Sequence, residues 1–174
     1  MMDFWAIMKS DQIKEKMSMK RILIIFISFF LLLGCEKNNE ISVGDSMKNV
    51  NKNDKYISLN SLSVFKTDNI YTVIIEQKGI VQKIVKFSYD RKSHNVQGLT
   101  LVKNKDINRY MNMSLNELKE ILGEVHTDIG SGFYIPTYIT EDGYLICFYL
   151  ENETVIGVIK RDILNNIIVE QVET

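Results

Sequence analysis

The stretch IYTVIIEQKGIVQKIVKFSY, residues 70–89, decides the fold class. Both of its ends are rich in β-branched and aromatic residues, which pack well on a pleated sheet. Between them, Lys78 and Gly79 interrupt the apolar pattern with a turn signal. The apolar residues of the second run that fall largely on one face of an extended chain are Val81, Val85, Phe87 and Tyr89. The stretch therefore predicts two antiparallel strands joined by a tight turn.

The flanking sequence extends this pattern in both directions. Residues 61–66 predict an earlier strand and residues 96–102 a later one, with polar turns at 67–69 and 90–95. Short strands joined by tight polar turns are typical of an antiparallel meander. We therefore expect a β-meander over residues 56–104.

The segment 105–123 changes to a helical pattern. Ser114 and Glu117 have the spacing of a capping box, and Gly123 stands where a left-handed residue ends a helix. The apolar residues that share one face at helical spacing are Leu115, Leu118, Ile121 and Leu122. The spacing predicts a helix over 115–122, with a short helix before it at 106–111.

The last third predicts a second meander over residues 131–172. Asp142-Gly143 is a strong hairpin signal, and Pro136 belongs at an edge or a bulge because it cannot donate a ladder hydrogen bond. The strands expected here are 133–140, 144–150, 155–161 and 167–172. The fold class is then α+β: antiparallel β-meander strands with one or two short helices packed on the sheet. Residues 56–174 are expected to form a single α+β domain, and whether its strands make one sheet or two stays open.

The N-terminal residues 1–34 have the organisation of a signal peptide. Lys20 and Arg21 precede twelve apolar residues, 22–33. A secretory apolar region has about 7–15 residues. A membrane-spanning helix needs about 20. Residues 1–18 lie upstream of the usual beginning of such a signal, so the true start codon stays open.

The residues Leu32-Leu33-Gly34-Cys35 resemble the lipobox of bacterial lipoproteins. The resemblance implies cleavage between Gly34 and Cys35 and a diacylglyceryl group on the Cys35 sulfur, since two acyl chains anchor a protein stably. The alternatives are an ordinary signal peptide with a chance cysteine, or an uncleaved membrane helix. The expected location is the extracytoplasmic face of the cell membrane, in a cell whose Gram-positive character the composition favours. Residues 35–55 would then be the lipidated cysteine and a disordered polar tether.

The charge excludes one class of partner. The whole chain carries 21 basic and 22 acidic residues. Processing at residue 34 removes five basic and three acidic residues and leaves sixteen and nineteen. Without a basic stripe, nucleic-acid binding is not expected.

No residue pattern predicts catalysis, a metal or a cofactor. His94 and His126 are separated and are expected to be solvated or adjacent to a helix cap, whereas a zinc site needs three or four ligands. Cys147 lies in an apolar strand and is expected to be a buried thiol. The remaining candidates have structural explanations: Gly130-Ser131-Gly132 fits a turn, and Glu141-Asp142 fits a hairpin tip. We expect a protein that is not an enzyme.

Tyrosines on the last strands are the candidate binding residues. Exposed tyrosines on a sheet are typical of protein-binding surfaces. The residues predicted to form such a surface are Tyr134, Tyr138, Tyr144 and Tyr149. The alternative is that these residues are core with scattered exposure.

Residues 106–161 resemble the small bacterial lipoproteins of the SmpA type and repeats of the β-lactamase-inhibitor-protein fold. The resemblance rests on a helix followed by a loop and three short strands, with the helix residues Met113-Ser114-Leu115, Leu118, Ile121-Leu122-Gly123 and Glu124. It implies protein binding or envelope maintenance. The alternative function is a solute- or signal-sensing lipoprotein with a small ligand pocket. Partner, ligand, oligomeric state and inner versus outer membrane stay open.

Overall fold

The computed structural model describes residues 40–50 and 55–174. The predicted signal peptide at 1–34, the lipidation site Cys35, and tether residues 36–39 and 51–54 lie outside the described residues.

The strands form two five-stranded antiparallel sheets. The first sheet follows chain order and contains β1 Lys55–Leu59, β2 Leu62–Thr67, β3 Ile70–Gln77, β4 Ile80–Ser88 and β5 Ser93–Gln97. The second also pairs consecutive strands and contains β6 Thr127–Asp128, β7 Pro136–Ile139, β8 Tyr144–Glu151, β9 Thr154–Asp162 and β10 Ile167–Glu173. The antiparallel meanders are confirmed, and the open choice between one sheet and two is settled as two.

Tight turns with left-handed residues set the register of these hairpins. Lys78 and Gly79 both have positive φ, 53° and 76°, between β3 and β4. Asn152 and Glu153 do the same between β8 and β9, with φ of 49° and 64°. Such turns match the right-handed twist of paired strands, which explains why two residues suffice.

The strand predicted at 96–102 is wrong in its position. β5 begins at Ser93 and ends at Gln97. Gly98 follows with φ +77°, and a Cβ placed there would lie 2.5 Å from the backbone oxygen of Gln82. The chain therefore leaves the sheet at Gly98, and Val102 makes only an isolated bridge to Thr140.

The predicted helix is confirmed as α1, Leu115–Leu122. The Ser114 hydroxyl oxygen accepts a hydrogen bond from the Glu117 amide at 3.2 Å, and the Glu117 carboxylate accepts from the Ser114 amide at 2.7 Å. Gly123 has φ +82°. The shorter helix predicted before it is a 3₁₀ helix, Ile107–Tyr110.

Three apolar clusters show how the layers stack. The largest lies between the two sheets and joins side chains such as Val73 and Phe87 of the first sheet to Leu145 and Cys147 of the second. A second cluster lies on the other face of the second sheet, where α1 contributes Leu118. Residues 55–174 are thus mostly β and consist of two stacked sheets with α1 on the outer side of the second.

The prediction of a disordered tether is wrong for residues 41–50. Met47 and Val50 are buried against Phe65 and Ile74 on the outer face of the first sheet. The Met47 amide donates to the Gly79 carbonyl at 2.9 Å, so the backbone is tied to the β3–β4 turn as well. A few apolar residues in a polar segment are enough for docking, because that sheet face would otherwise expose its own apolar side chains.

Candidate binding surfaces

The four tyrosines proposed as one binding surface do not share a face. Cross-strand partners share a face, so Tyr138 lies on the same face as its partner Ile146. Tyr149 follows Ile146 by three residues on the same strand, and this odd spacing places it on the opposite face. Tyr138 is fully buried beneath α1, and its hydroxyl donates to the Gly123 carbonyl at 3.0 Å. Burial raises the pKa of Tyr138 to about 12. The assignment of Tyr138 to an exposed surface is therefore wrong.

Tyr134 and Tyr144 also lie in different environments. Tyr134 is 48% exposed and lies in the loop before β7. The Tyr144 ring is half-buried and carries two cations, with the Arg91 guanidinium 4.8 Å and the Lys160 amine 4.9 Å from its centroid. Tyr144 therefore belongs to a cation–aromatic stack rather than to an open face.

The most exposed apolar strand is β10. It forms one edge of the second sheet, and no described residue pairs with its outer side. Ile167, Ile168 and Val169 are 52%, 51% and 44% exposed. The other edge strands are shorter: β6 has two residues, and β1 and β5 have five each, against seven in β10. Proteins usually protect such edges, and β10 has one such device, a bulge between Ile168 and Glu170. Its apolar side chains are exposed nonetheless, which indicates a contact surface.

An apolar groove of about 400 Å³ borders this edge. Its floor is formed by Tyr149, Ile156 and Ile159, and its rim by Gln171 and Glu173. Ile159 pairs with both Cys147 and Gln171, so the floor continues the inner face that the second sheet turns toward the first. Of the four proposed tyrosines, Tyr149 is the one that lines this groove.

The groove has one acidic side chain, Glu173, at its rim. Glu173 accepts a side-chain hydrogen bond from Gln171 and makes no ion pair among residues 40–50 and 55–174. Glu170, on the other face of β10, lies 3.9 Å from the Lys160 amine. Glu151 and Glu153 lie at the β8–β9 turn near the same end of the sheet. The chemistry of this region therefore favours cationic or neutral contacts.

A second concave site lies where the two sheets meet. This cleft of about 360 Å³ is lined by polar side chains that include Asn60, Glu76, Gln82 and Lys83. The Lys83 amine donates to the carbonyls of Val125 and His126, and burial lowers the pKa of Lys83 although Glu124 opposes the shift.

Several polar groups of the cleft wall form hydrogen bonds between the two sheets. The hydroxyls of Ser61 and Thr127 are 2.5 Å apart, and Ser61 also donates to the Asp128 carbonyl at 2.8 Å. The side-chain amide of Asn60 donates to the Gly130 carbonyl at 2.8 Å. These groups have their partners within the protein, so they are less available to a ligand.

His126 is buried beside this cleft, three residues after the helix cap Gly123, so the expected adjacency to a cap holds and the alternative of a solvated side chain is wrong. Its Nδ1 accepts a hydrogen bond from the Ile139 amide at 2.9 Å, which requires that nitrogen to be unprotonated. Burial, reinforced by the nearby Lys83 charge, lowers the pKa of His126 to about 4. His94, in contrast, is exposed as predicted.

An ion pair between the half-buried Arg91 and the buried Asp162 joins the sheets at another point. The Arg91 guanidinium donates to the Asp162 carboxylate at 2.5 Å, and the Asp162 side chain is only 3% exposed. The same carboxylate accepts from the Leu164 amide at 2.9 Å. Burial acts to raise the pKa of Asp162, but hydrogen bonds from Arg91 and Asn165 outweigh it and lower the pKa.

The other residues weighed for chemistry have structural surroundings. Cys147 is a buried free thiol, as predicted, and burial raises its pKa to about 11. Asp142 accepts from the Thr140 hydroxyl at 2.7 Å within its turn. A Cβ on Gly130 would lie 1.6 Å from the Phe133 carbonyl oxygen, so the glycine loop is a close-packed turn.

The described residues contain no group of three or more His, Cys, Asp or Glu side chains arranged to hold a metal ion. The described part of the chain has no helix with the length and apolar character required to cross a bilayer.

The β10 edge and its groove were not anticipated from the sequence. A final strand was predicted at 167–172, but nothing indicated that it would lack an outer neighbour. The three consecutive apolar residues Ile167, Ile168 and Val169 were the available signal, since a strand covered on one face alone normally alternates.

Compared with family models, curated proteins and solved structures, the chain gives no match.

Proposed function

We propose that this protein is a membrane-anchored extracytoplasmic lipoprotein whose folded body binds another protein and has no catalytic role. The single observation that carries the proposal of an anchor is the sequence of Lys20-Arg21, twelve apolar residues and Leu32-Leu33-Gly34-Cys35. A free secreted domain does not need a cysteine at that position, whereas lipid attachment requires one.

The proposal of protein binding rests on the β10 edge. An exposed run of Ile167, Ile168 and Val169 beside an apolar groove is a surface whose burial would be favourable. The SmpA-type resemblance leads to the same kind of function and stays a prediction.

Fatty-acid labelling and crosslinking test the two parts of the proposal. In the native host, the wild-type chain should incorporate labelled palmitate and sediment with membranes, whereas Cys35→Ala should incorporate none and should be either unprocessed or released from membranes. A photocrosslinker at Ile168 in β10 should give a defined adduct, and one at the exposed Glu141 in the turn between β7 and β8 should not. An unlabelled wild-type chain contradicts the anchor, and equal adducts at both positions contradict the binding surface.

Sensing of a small solute is the second candidate function, and the polar cleft favours it. Its volume of about 360 Å³ is near the lower end of the ligand-pocket range. Gln82→Leu should then abolish a ligand-induced rise in melting temperature that the Ile168→Ser variant retains. Loss of this rise in Ile168→Ser and its retention in Gln82→Leu would instead favour binding at the β10 edge.

A further inference from the structure

We propose that the β10 edge captures an extended segment of another protein as an added antiparallel or parallel strand, and that this segment carries lysine or arginine toward the groove. The proposal deepens the protein-binding function and rests on it. It names the mode of binding and the chemistry of the partner.

The backbone of β10 provides the first argument. The Thr174 amide donates to the Ile156 carbonyl at 3.1 Å, so Thr174 faces β9. Because backbone groups alternate along a strand, the amides and carbonyls of Gln171 and Glu173 point to the outer side. The outer edge of β10 therefore presents the hydrogen-bonding groups that strand addition uses.

The groove provides the second argument. Side chains of an added strand that lie opposite Gln171 and Glu173 share their face. They would therefore lie beside the rim residues, one strand away from Ile156 and Ile159 of the apolar floor. The methylene stem of a lysine or arginine can extend across β10 toward this floor while its charged end pairs with the Glu173 carboxylate at the rim.

Charge selects between a second copy of this chain and a different partner. Two β10 strands side by side would bring together two copies of Glu170 and two of Glu173, with one lysine, Lys160, paired to each Glu170. Like charges on adjacent strands are unfavourable. A basic segment instead supplies the cation that Glu173 lacks among the described residues. The complementarity therefore favours a basic partner.

The test uses the purified full chain in detergent and short synthetic peptides as probes. One peptide alternates lysine and valine, a second alternates glutamate and valine, and a third is the lysine–valine peptide with alternate amides N-methylated. Binding is measured by fluorescence anisotropy, and hydrogen exchange followed by mass spectrometry locates it. We expect the lysine–valine peptide to bind and to slow exchange at residues 167–174.

Two variants and one control separate the contributions. Gln171→Pro removes an outward amide and should weaken binding about tenfold or more, as should N-methylation of the peptide. Glu173→Lys should weaken binding of the lysine–valine peptide about fivefold and favour the glutamate–valine peptide. Glu141→Lys makes the same charge change on an exposed turn at the other end of β8 and should leave both affinities unchanged.

Several outcomes overturn the proposal. Absence of binding by the lysine–valine peptide at millimolar concentration does so, and so does equal binding of the acidic peptide. Full retention of affinity by the N-methylated peptide contradicts strand addition even if Gln171→Pro does not fold. Concentration-dependent self-association that protects residues 167–174 assigns the edge to a second copy instead. If the peptides fail while the Ile168 crosslink persists in cells, strand capture is wrong and the protein-binding function stands.

Discussion

Lowering the pH from 7.5 to 5 is expected to destabilise the fold through His126. In the folded protein, burial and the Lys83 charge lower the pKa of this histidine from 6.5 to about 4. The unfolded chain binds a proton that the folded chain excludes, so acidification favours unfolding. The contribution of His126 to stability is complete above pH 6.5 and is lost progressively as the pH falls toward 4.

The size of the effect follows from the two pKa values. A shift of one pKa unit corresponds to about 1.4 kcal/mol, so His126 contributes about 3 kcal/mol in full and loses about 2 kcal/mol of it by pH 5. Asp162 does not interfere in this range, because a lowered pKa places its own loss of stability below its ordinary value of 3.8.

Urea unfolding followed by circular dichroism at pH 7.5, 6.5, 5.5 and 5 measures the effect. His126→Asn retains a side-chain acceptor for the Ile139 amide but does not titrate, so its stability should depend much less on pH. His94→Asn, at an exposed position, should keep the full wild-type dependence. Equal slopes for the wild type and His126→Asn would refute the reasoning.

Three further perturbations test the packing. Gly123→Val should lower the free energy of unfolding by about 1 kcal/mol, because valine must adopt the positive φ that ends α1; an unchanged melting temperature contradicts this helix end. Arg91→Ala should cost about 2 kcal/mol because it leaves the buried Asp162 carboxylate without its cation, whereas Lys92→Ala, at an exposed pair, should cost under about 0.5 kcal/mol. Equal losses in urea unfolding would contradict the distinction. Cys147 should resist maleimide until the protein unfolds, since its thiol is buried; rapid labelling of the folded chain, read by mass spectrometry, would show otherwise.

Local signals predicted most of the secondary structure. The Ser114–Glu117 capping box and Gly123 fix the ends of α1 through contacts within a few residues, and the Lys78–Gly79 turn fixes the β3–β4 hairpin in the same way. Such features do not depend on distant parts of the chain, so the sequence is sufficient to locate them. The strand expected at 96–102 was misplaced because Gly98 is required by a close approach to Gln82, a neighbour in space and not in sequence.

The candidate surfaces were harder to predict because they depend on what covers each sheet face. Alternation places Tyr138 and Tyr149 on opposite faces, but it does not reveal that α1 covers one and leaves the other beside a groove. Residues 41–50 contain few apolar side chains, and the burial of Met47 and Val50 depends on the outer face of the first sheet. The open edge at β10 is likewise a property of the whole sheet order.

The measurement that bears most directly on the account is the intact mass of the protein extracted from membranes of its native host. The proposal of a lipid-anchored binding module predicts a polypeptide that begins at Cys35 and carries the added mass of a diacylglyceryl group. A chain that retains residues 1–34, or one that begins at residue 35 with an unmodified thiol, would contradict it.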